Sequence, residues 1–188
     1  MIAWKYKGRI KGGCRVAEEQ KKKKGSWLVP IIAAVAVAFI VRSFIAAPYV
    51  VEGASMEPSL YDNDRILVNK TTSWMGEFDR GDVVIIEGEN NRHYVKRIIG
   101  LPGETVEMQE GELYIDGEQI EEPYVNELAD YAEQIEETSV EEEEYYVMGD
   151  NRGNSLDSRN GLGHIPEEYI VGRSMVVFFP FGNMQITN

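Results

Sequence analysis

Three short stretches of the chain carry residue types that can act on one another. The first is Gly53-Ala54-Ser55-Met56-Glu57-Pro58-Ser59-Leu60. Pro58 restricts the turn and Gly53 lets the backbone pass close to Ser55, so the hydroxyl is presented at the edge of a cleft. A serine hydroxyl is a weak nucleophile until a base takes its proton. The second stretch, His93-Tyr94-Val95-Lys96-Arg97-Ile98-Ile99, offers such a base. Strand alternation puts Tyr94, Lys96 and Ile98 on one face and Val95, Arg97 and Ile99 on the other. Neither face is cleanly polar, so one of the two cations points into apolar surroundings. A buried lysine loses solvation of its charged form and its pKa falls; the neutral amine then accepts a serine proton. Arginine stays charged and does not serve. The competing reading of these seven residues is an edge strand with two solvated cations. The third stretch, Gly149 to Gly163, packs four Gly, three Asn, two Asp, two Ser and two Arg into fifteen residues. That is more polar chemistry than a hairpin turn needs, and such side chains fix a loop by bonding to backbone and to each other.

The elements that must position these stretches are short strands. Arg65 to Asn69, Val83 to Ile86, Tyr94 to Ile99, Thr105 to Met108, Leu113 to Ile115, Tyr145 to Met148 and Ser174 to Phe179 alternate or run apolar, with turn signals between them, the pattern of a mainly β domain. Asp116-Gly117, between Leu113-Tyr114-Ile115 and Glu118-Gln119-Ile120, predicts a tight hairpin. Glu127 to Glu144 holds nine acidic residues and no basic one, which reads as a solvated insertion looping between strands.

Ahead of the strands, Trp27 to Ala47 is apolar apart from Arg42 and Ser43. As a helix ended by Pro48 its 21 residues reach about 32 Å at ~1.5 Å per residue, enough to span a bilayer. A cleavable signal peptide is the alternative, but Ser43 to Ala47 offers no clean small-x-small site and the basic arm before the helix is long. The expected organisation is therefore a basic arm 1–26, an anchor 27–47 and a β-rich domain 48–188 with the acidic insertion at about 127–144. The arm carries nine Lys or Arg against two Glu, a net of +7, whereas Trp27 onward has ten basic and thirty acidic residues, a net of −20. The lysine run predicts a cytoplasmic amino end and an exported domain. So acidic a domain repels phosphate, which excludes nucleic acid as a partner. One cysteine, Cys14, and two histidines, His93 and His164, leave no set of ligands for a zinc hydrolase; no metal or other cofactor is expected.

Taken together the stretches resemble the bacterial type I signal peptidases, in their single-anchor, Gram-positive-like form. The resemblance rests on Ser55-Met56-Glu57-Pro58-Ser59-Leu60, on Tyr94-Val95-Lys96-Arg97-Ile98-Ile99-Gly100-Leu101-Pro102-Gly103, on Gly149 to Arg159, and on Arg80-Gly81-Asp82-Val83-Val84, in the family's order and spacing. It implies a signal-peptidase-like β domain and a membrane-bound serine endopeptidase that removes signal peptides from secretory preproteins, cutting after a small-x-small (Ala-x-Ala) motif. Ser55 is then the nucleophile and Lys96 the general base. Ser155 orients the Lys96 amine, while Asp150, Asp157 and Arg159 hold the framework. The Ser55 N–H contributes to the oxyanion hole. Gly53 stands where some members have a serine that donates to that hole, so this chain lacks that donor; Gly153 replaces an acidic residue of some members.

Three other readings compete. A histidine-based hydrolase would use His93 or His164 with an aspartate, yet neither histidine lies in a recognisable motif. A self-cleaving repressor-type protease also uses Ser and Lys but would carry a DNA-binding helix pair. A tethered peptide-binding β domain would have no need of Ser55 and Lys96.

Overall fold

The computed structural model describes residues 27–76, 78–88, 92–125 and 134–187; the basic arm with Cys14 lies outside them. Helix α1, Leu28–Ile40, continues through a π-helical turn, Val41–Ile45. Pro30 sits in its first turn, where a missing N–H costs nothing. No α1 residue is buried, as expected of a helix that is apolar all round and packs on no protein core. Leu28–Ile45 has a mean hydropathy of 2.5 and a length of about 27 Å at ~1.5 Å per residue, so it is long and apolar enough to cross a membrane.

The helix ends two residues sooner than the sequence predicts. Ala46 is already extended, and Ala46–Val50 forms strand β1, paired antiparallel with β2, Arg65–Asn69. Pro48 biases Ala47 toward extended backbone, and pairing with β2 carries that conformation back to Ala46. Because β1 is the terminal strand of its sheet, the N–H that Pro48 lacks is not missed.

After β2 come α2, Thr72–Met75; β3, Val83–Glu87; β4, His93–Gly100; β5, Thr105–Gln109; β6, Glu112–Ile115; β7, Glu118–Ile120; β8, Ile135–Ser139; β9, Glu144–Met148; β10, Ile165–Pro166; β11, Ile170–Phe179; and β12, Gln185–Ile186. The larger sheet runs β1-β2-β11-β3-β4-β9-β10, with β12 beside β11; the smaller runs β7-β6-β5-β8. Every pairing is antiparallel, so the fold is mainly β. All seven expected strands and the hairpin at Asp116-Gly117 are present.

The acidic stretch departs from its expected loop. Residues 126–133 lie outside the described residues, but Ile135–Ser139 is β8 on the edge of the small sheet, paired with β5. Glu136 and Glu137 face water, whereas Ile135 and buried Val140 pack on the small sheet's core. Charge density hid those few inward positions.

Alternation along the strands splits the interior into three clusters. Val83 and Ile85 of β3 meet Val51, Met56, Leu60, Ile66, Val68 and Val177 on one face; Val84 and Ile86 meet Ile98, Tyr145, Val147 and Ile170 on the other. The third cluster joins Ile99 and Met148 of the large sheet to Val106, Met108, Leu113 and Ile115 of the small one. Met56 and Leu60 pin the turn that carries Ser55 onto the first cluster. Met56 is thus core, while Trp74 and Met75 of α2 are exposed.

Candidate active site

The turn that carries Ser55 is set by its backbone. Gly53 has φ +88°, a conformation that side chains rarely adopt, and its N–H donates to Asp62 Oδ1 at 2.8 Å. Val51 N–H bonds Asp64 O and Leu60 N–H bonds Met56 O, closing the turn at both ends. The Glu57–Pro58 peptide is cis. Ser55 stands partly exposed at its crest.

Strand β4 brings a lysine amine to that turn. Lys96 is 2% exposed and its Nζ lies 2.8 Å from Ser55 Oγ. Burial pushes its pKa down to about 8; Asp157 and Asp150 pull upward against that, and Arg159 adds to the lowering. Both cations of the pair turn out to be buried, because Arg97, also 2% exposed, points to the opposite face and meets a full set of acceptors. Its Nε and Nη2 hold both oxygens of Asp150, at 2.9 and 2.7 Å. Nη1 donates to Gly81 O and Nη2 also reaches Ser59 Oγ.

The Gly149–Gly163 loop closes around this pair. Asn151 N–H donates to Ser55 O at 3.0 Å and its Nδ2 to Ala54 O, so the loop grips the nucleophile turn directly. Asp157 is fully buried and accepts from Gly149 N–H and from Arg159. Burial alone would raise its pKa, but the bonds from Arg159 and Gly149 and the charge of Arg159 outweigh it and hold the carboxyl below its ordinary value. Arg159 also donates to Arg152 O.

Gly149 is required for close approach: a Cβ there would overlap the Ser155 hydroxyl and the Ser55 carbonyl. Gly149→Ala is therefore expected to push the loop off the Ser55 turn and lower kcat by about tenfold to a hundredfold, measured on a small-x-small peptide.

Of the residues singled out in the sequence, Ser55, Lys96, Asp150, Asp157 and Arg159 converge on one network, with Gly53 shaping its turn. Ser155 differs from expectation. Its Oγ is buried beside the Asp157 carboxylate without a partner at hydrogen-bond geometry, so the bond to Lys96 is not made here; Lys96 Nζ is turned to Ser55 instead. Sequence reasoning missed Arg97, Asn151, Arg152 and Gly149. Arg97 had a signal, two adjacent cations in a strand lacking a polar face; the others looked like ordinary loop residues.

The cleft beside Ser55, of about 540 Å³, is lined by Tyr49, Val51, Ile85, Val95 and Lys96 among others. It runs between two free strand edges. β4 pairs with β3 from His93 to Arg97, but β9 joins its other side only from Arg97 onward; among the described residues β1 has no outer neighbour. Both histidines make their contacts elsewhere than with Ser55 and Lys96: His93 packs on the Tyr49 ring, and His164 sits between Tyr146 and Glu144.

The chain is similar to known proteins. The model of the family described as signal peptidase, peptidase S26, matches residues 24–179. Signal peptidase I of Bacillus licheniformis is 48% identical over 183 residues, covering 91% of this chain and 98% of that protein. Signal peptidase I S of Bacillus subtilis strain 168 is 47% identical over 183 residues, covering 92% and 99%. A crystal structure of a signal peptidase I from Enterococcus faecalis V583 is 32% identical, with a TM-score of 0.46 over 52% of this chain and 96% of that one. The chain belongs to the signal peptidase family, peptidase S26. Membership makes it a serine endopeptidase, with signal-peptide processing as its reaction.

Proposed function

We propose that this chain is a membrane-bound endopeptidase that releases exported preproteins from their signal peptides with a Ser55–Lys96 dyad, cutting after a small-x-small motif. The observation that carries it is the 2.8 Å contact between Ser55 Oγ and the amine of a buried lysine. Neutral Lys96 takes the Ser55 proton as Oγ attacks the scissile carbonyl. The Ser55 N–H, which meets no acceptor among the described residues, donates to the developing oxyanion. The lysinium then protonates the leaving amine, and Lys96 next activates the water that frees the acyl group. An extended peptide fits between the free edges of β1 and β4 by adding a strand. The side chains of Val51, Ile85 and Val95 leave shallow apolar space beside it, which suits alanine-sized residues. In this reading Asp150, Asp157, Arg159 and Gly53 shape the site, and Ser155 is the residue assigned to orient the Lys96 amine.

The reading places the chain in the cell membrane as a single-pass protein, with its basic amino end in the cytoplasm and its catalytic domain outside. Two hydrogen bonds support the role of the helix. Lys70 N–H donates to Ile45 O and Lys70 Nζ to Ser43 O, so the last helical carbonyls are capped by the domain itself. Trp74 packs edge-on against Phe44 at 5.8 Å, the level at which a tryptophan suits a bilayer interface. The cleft is thereby held at a fixed distance from the membrane.

The test is the pH dependence of kcat/KM on an Ala-x-Ala peptide. Only the neutral amine is a base, so activity rises with pH, levels off above about 8, and falls about tenfold for each unit below. A rate that stays flat down to pH 6 removes Lys96 from the role of base.

A further inference from the structure

The small sheet reaches into the site through one segment. Residues Glu121 to Val125 follow β7, and two of their side chains meet the two arginines that hold the catalytic loop. The Glu122 carboxylate takes Nη1 of Arg152 at 2.9 Å and its Nη2 as well, an ion pair whose side chains are 10% and 3% exposed. Arg152 in turn donates from Nε to Gly149 O, so it staples the loop across Gly149 to Arg152. Tyr124 lays its ring over the Arg97 guanidinium, 4.1 Å from ring centre to Cζ, and donates its hydroxyl to Glu122 Oε1 at 3.0 Å. Burial and the Glu122 charge both raise the pKa of that phenol, so it stays a donor.

These contacts form one chain of support: Glu122 to Arg152, Arg152 to the loop, and the loop, through Asn151, to Ser55 O and Ala54 O. In parallel, Tyr124 covers Arg97, which fixes Asp150 next to Asn151. A buried arginine with its carboxylate removed is strongly unfavourable, so the loop would leave this position once Glu122 stopped accepting. We infer that Glu122 and Tyr124 are positioning residues, through which the small sheet clamps the Arg152 and Arg97 side chains and keeps the Gly149–Arg152 turn docked on the nucleophile. The inference rests on the dyad reading for what the docking serves. Neither residue lines the cleft between β1 and β4, so the clamp acts on the reacting groups and leaves substrate binding alone.

The experiment compares the full-length protein in detergent with Glu122→Gln, Tyr124→Leu and Tyr124→Phe, using Ser55→Ala and Lys96→Met as controls. Kinetics on an Ala-x-Ala peptide are measured alongside amide hydrogen exchange. Glu122→Gln and Tyr124→Leu are expected to lower kcat by about tenfold or more with KM within about twofold, and to speed exchange of the Asn151 amide while the amides of β3 and β4 keep their rates. Tyr124→Phe keeps the ring over Arg97 and stays within about threefold of the parent. Unchanged kcat in the first two variants overturns the inference, as does a rise in KM at constant kcat, which would make the segment a substrate contact. Faster exchange throughout the large sheet also overturns it, since the residues would then support the fold in general. If the Ser55 and Lys96 controls remain active, it is the dyad that fails; if they are dead while Glu122→Gln and Tyr124→Leu are normal, it is the clamp.

Discussion

Ser55→Ala and Lys96→Met are each expected to abolish cleavage of a preprotein carrying an Ala-x-Ala site, with a loss on the order of 10⁴-fold or more for either, as is usual when one member of a catalytic unit is removed. The two losses do not add, because an unactivated serine and an absent serine leave the same residual rate. Cut positions read by mass spectrometry are expected to fall after the second small residue for the parent. A His93→Ala/His164→Ala variant is expected to cut there still, since His93 packs on Tyr49 and His164 rests against Tyr146 and Glu144. Full activity in Lys96→Met would end the dyad reading, and the absence of cleavage by the folded parent across several preproteins would favour a tethered peptide-binding domain. Methionine fills the lysine's volume without its charge, so the folded state survives and loss of rate is not loss of structure.

The largest effect on stability is expected at Arg97 and Asp150. Their side chains are 3% and 1% exposed and joined by two bonds. Asp150→Ala leaves a guanidinium buried without a carboxylate, met among the described residues by the carbonyl of Gly81, the hydroxyl of Ser59 and the face of Tyr124. The cost is about 3–5 kcal/mol, a fall in Tm of roughly 10 °C for a domain of this size. Replacing both partners, as in Arg97→Met/Asp150→Leu, recovers most of that loss, because an apolar pair avoids the stranded charge. Activity does not return with it, since Asp150 also fixes the loop whose Asn151 grips Ser55. Thermal unfolding and kcat measured on the same three proteins separate the two roles; equal stability of Asp150→Ala and the parent would refute the first.

Much of this was legible in the residues. Strand periods located the seven main strands and one hairpin, because apolar alternation is a local property that packing on two faces preserves. The acidic run misled for a related reason: the edge strand β8 needs few inward side chains, and Glu136 and Glu137 dominate its composition. Helix α1 read easily for its length and poorly for its end, since Ala46 and Ala47 are equally at home in helix or strand and the choice was made by β2, some twenty residues on.

The sequence by itself determined the chemistry on offer. A serine on a glycine-opened turn, two adjacent cations on a strand with no clean polar face, and a loop dense in Asn, Asp and Arg state which groups are present and which of them could leave water. Only the tertiary structure decided how they meet. It set Lys96 Nζ at 2.8 Å from a hydroxyl forty-one residues away, showed that Arg97 is buried as well and matched to Asp150, left Ser155 Oγ without a bond, and brought Glu122 and Tyr124 over the arginines from the other sheet. The physical reason is that desolvation and close contact depend on neighbours distant in the chain. Periodicity reports which way a side chain points, and only packing of the two sheets fixes what it finds there.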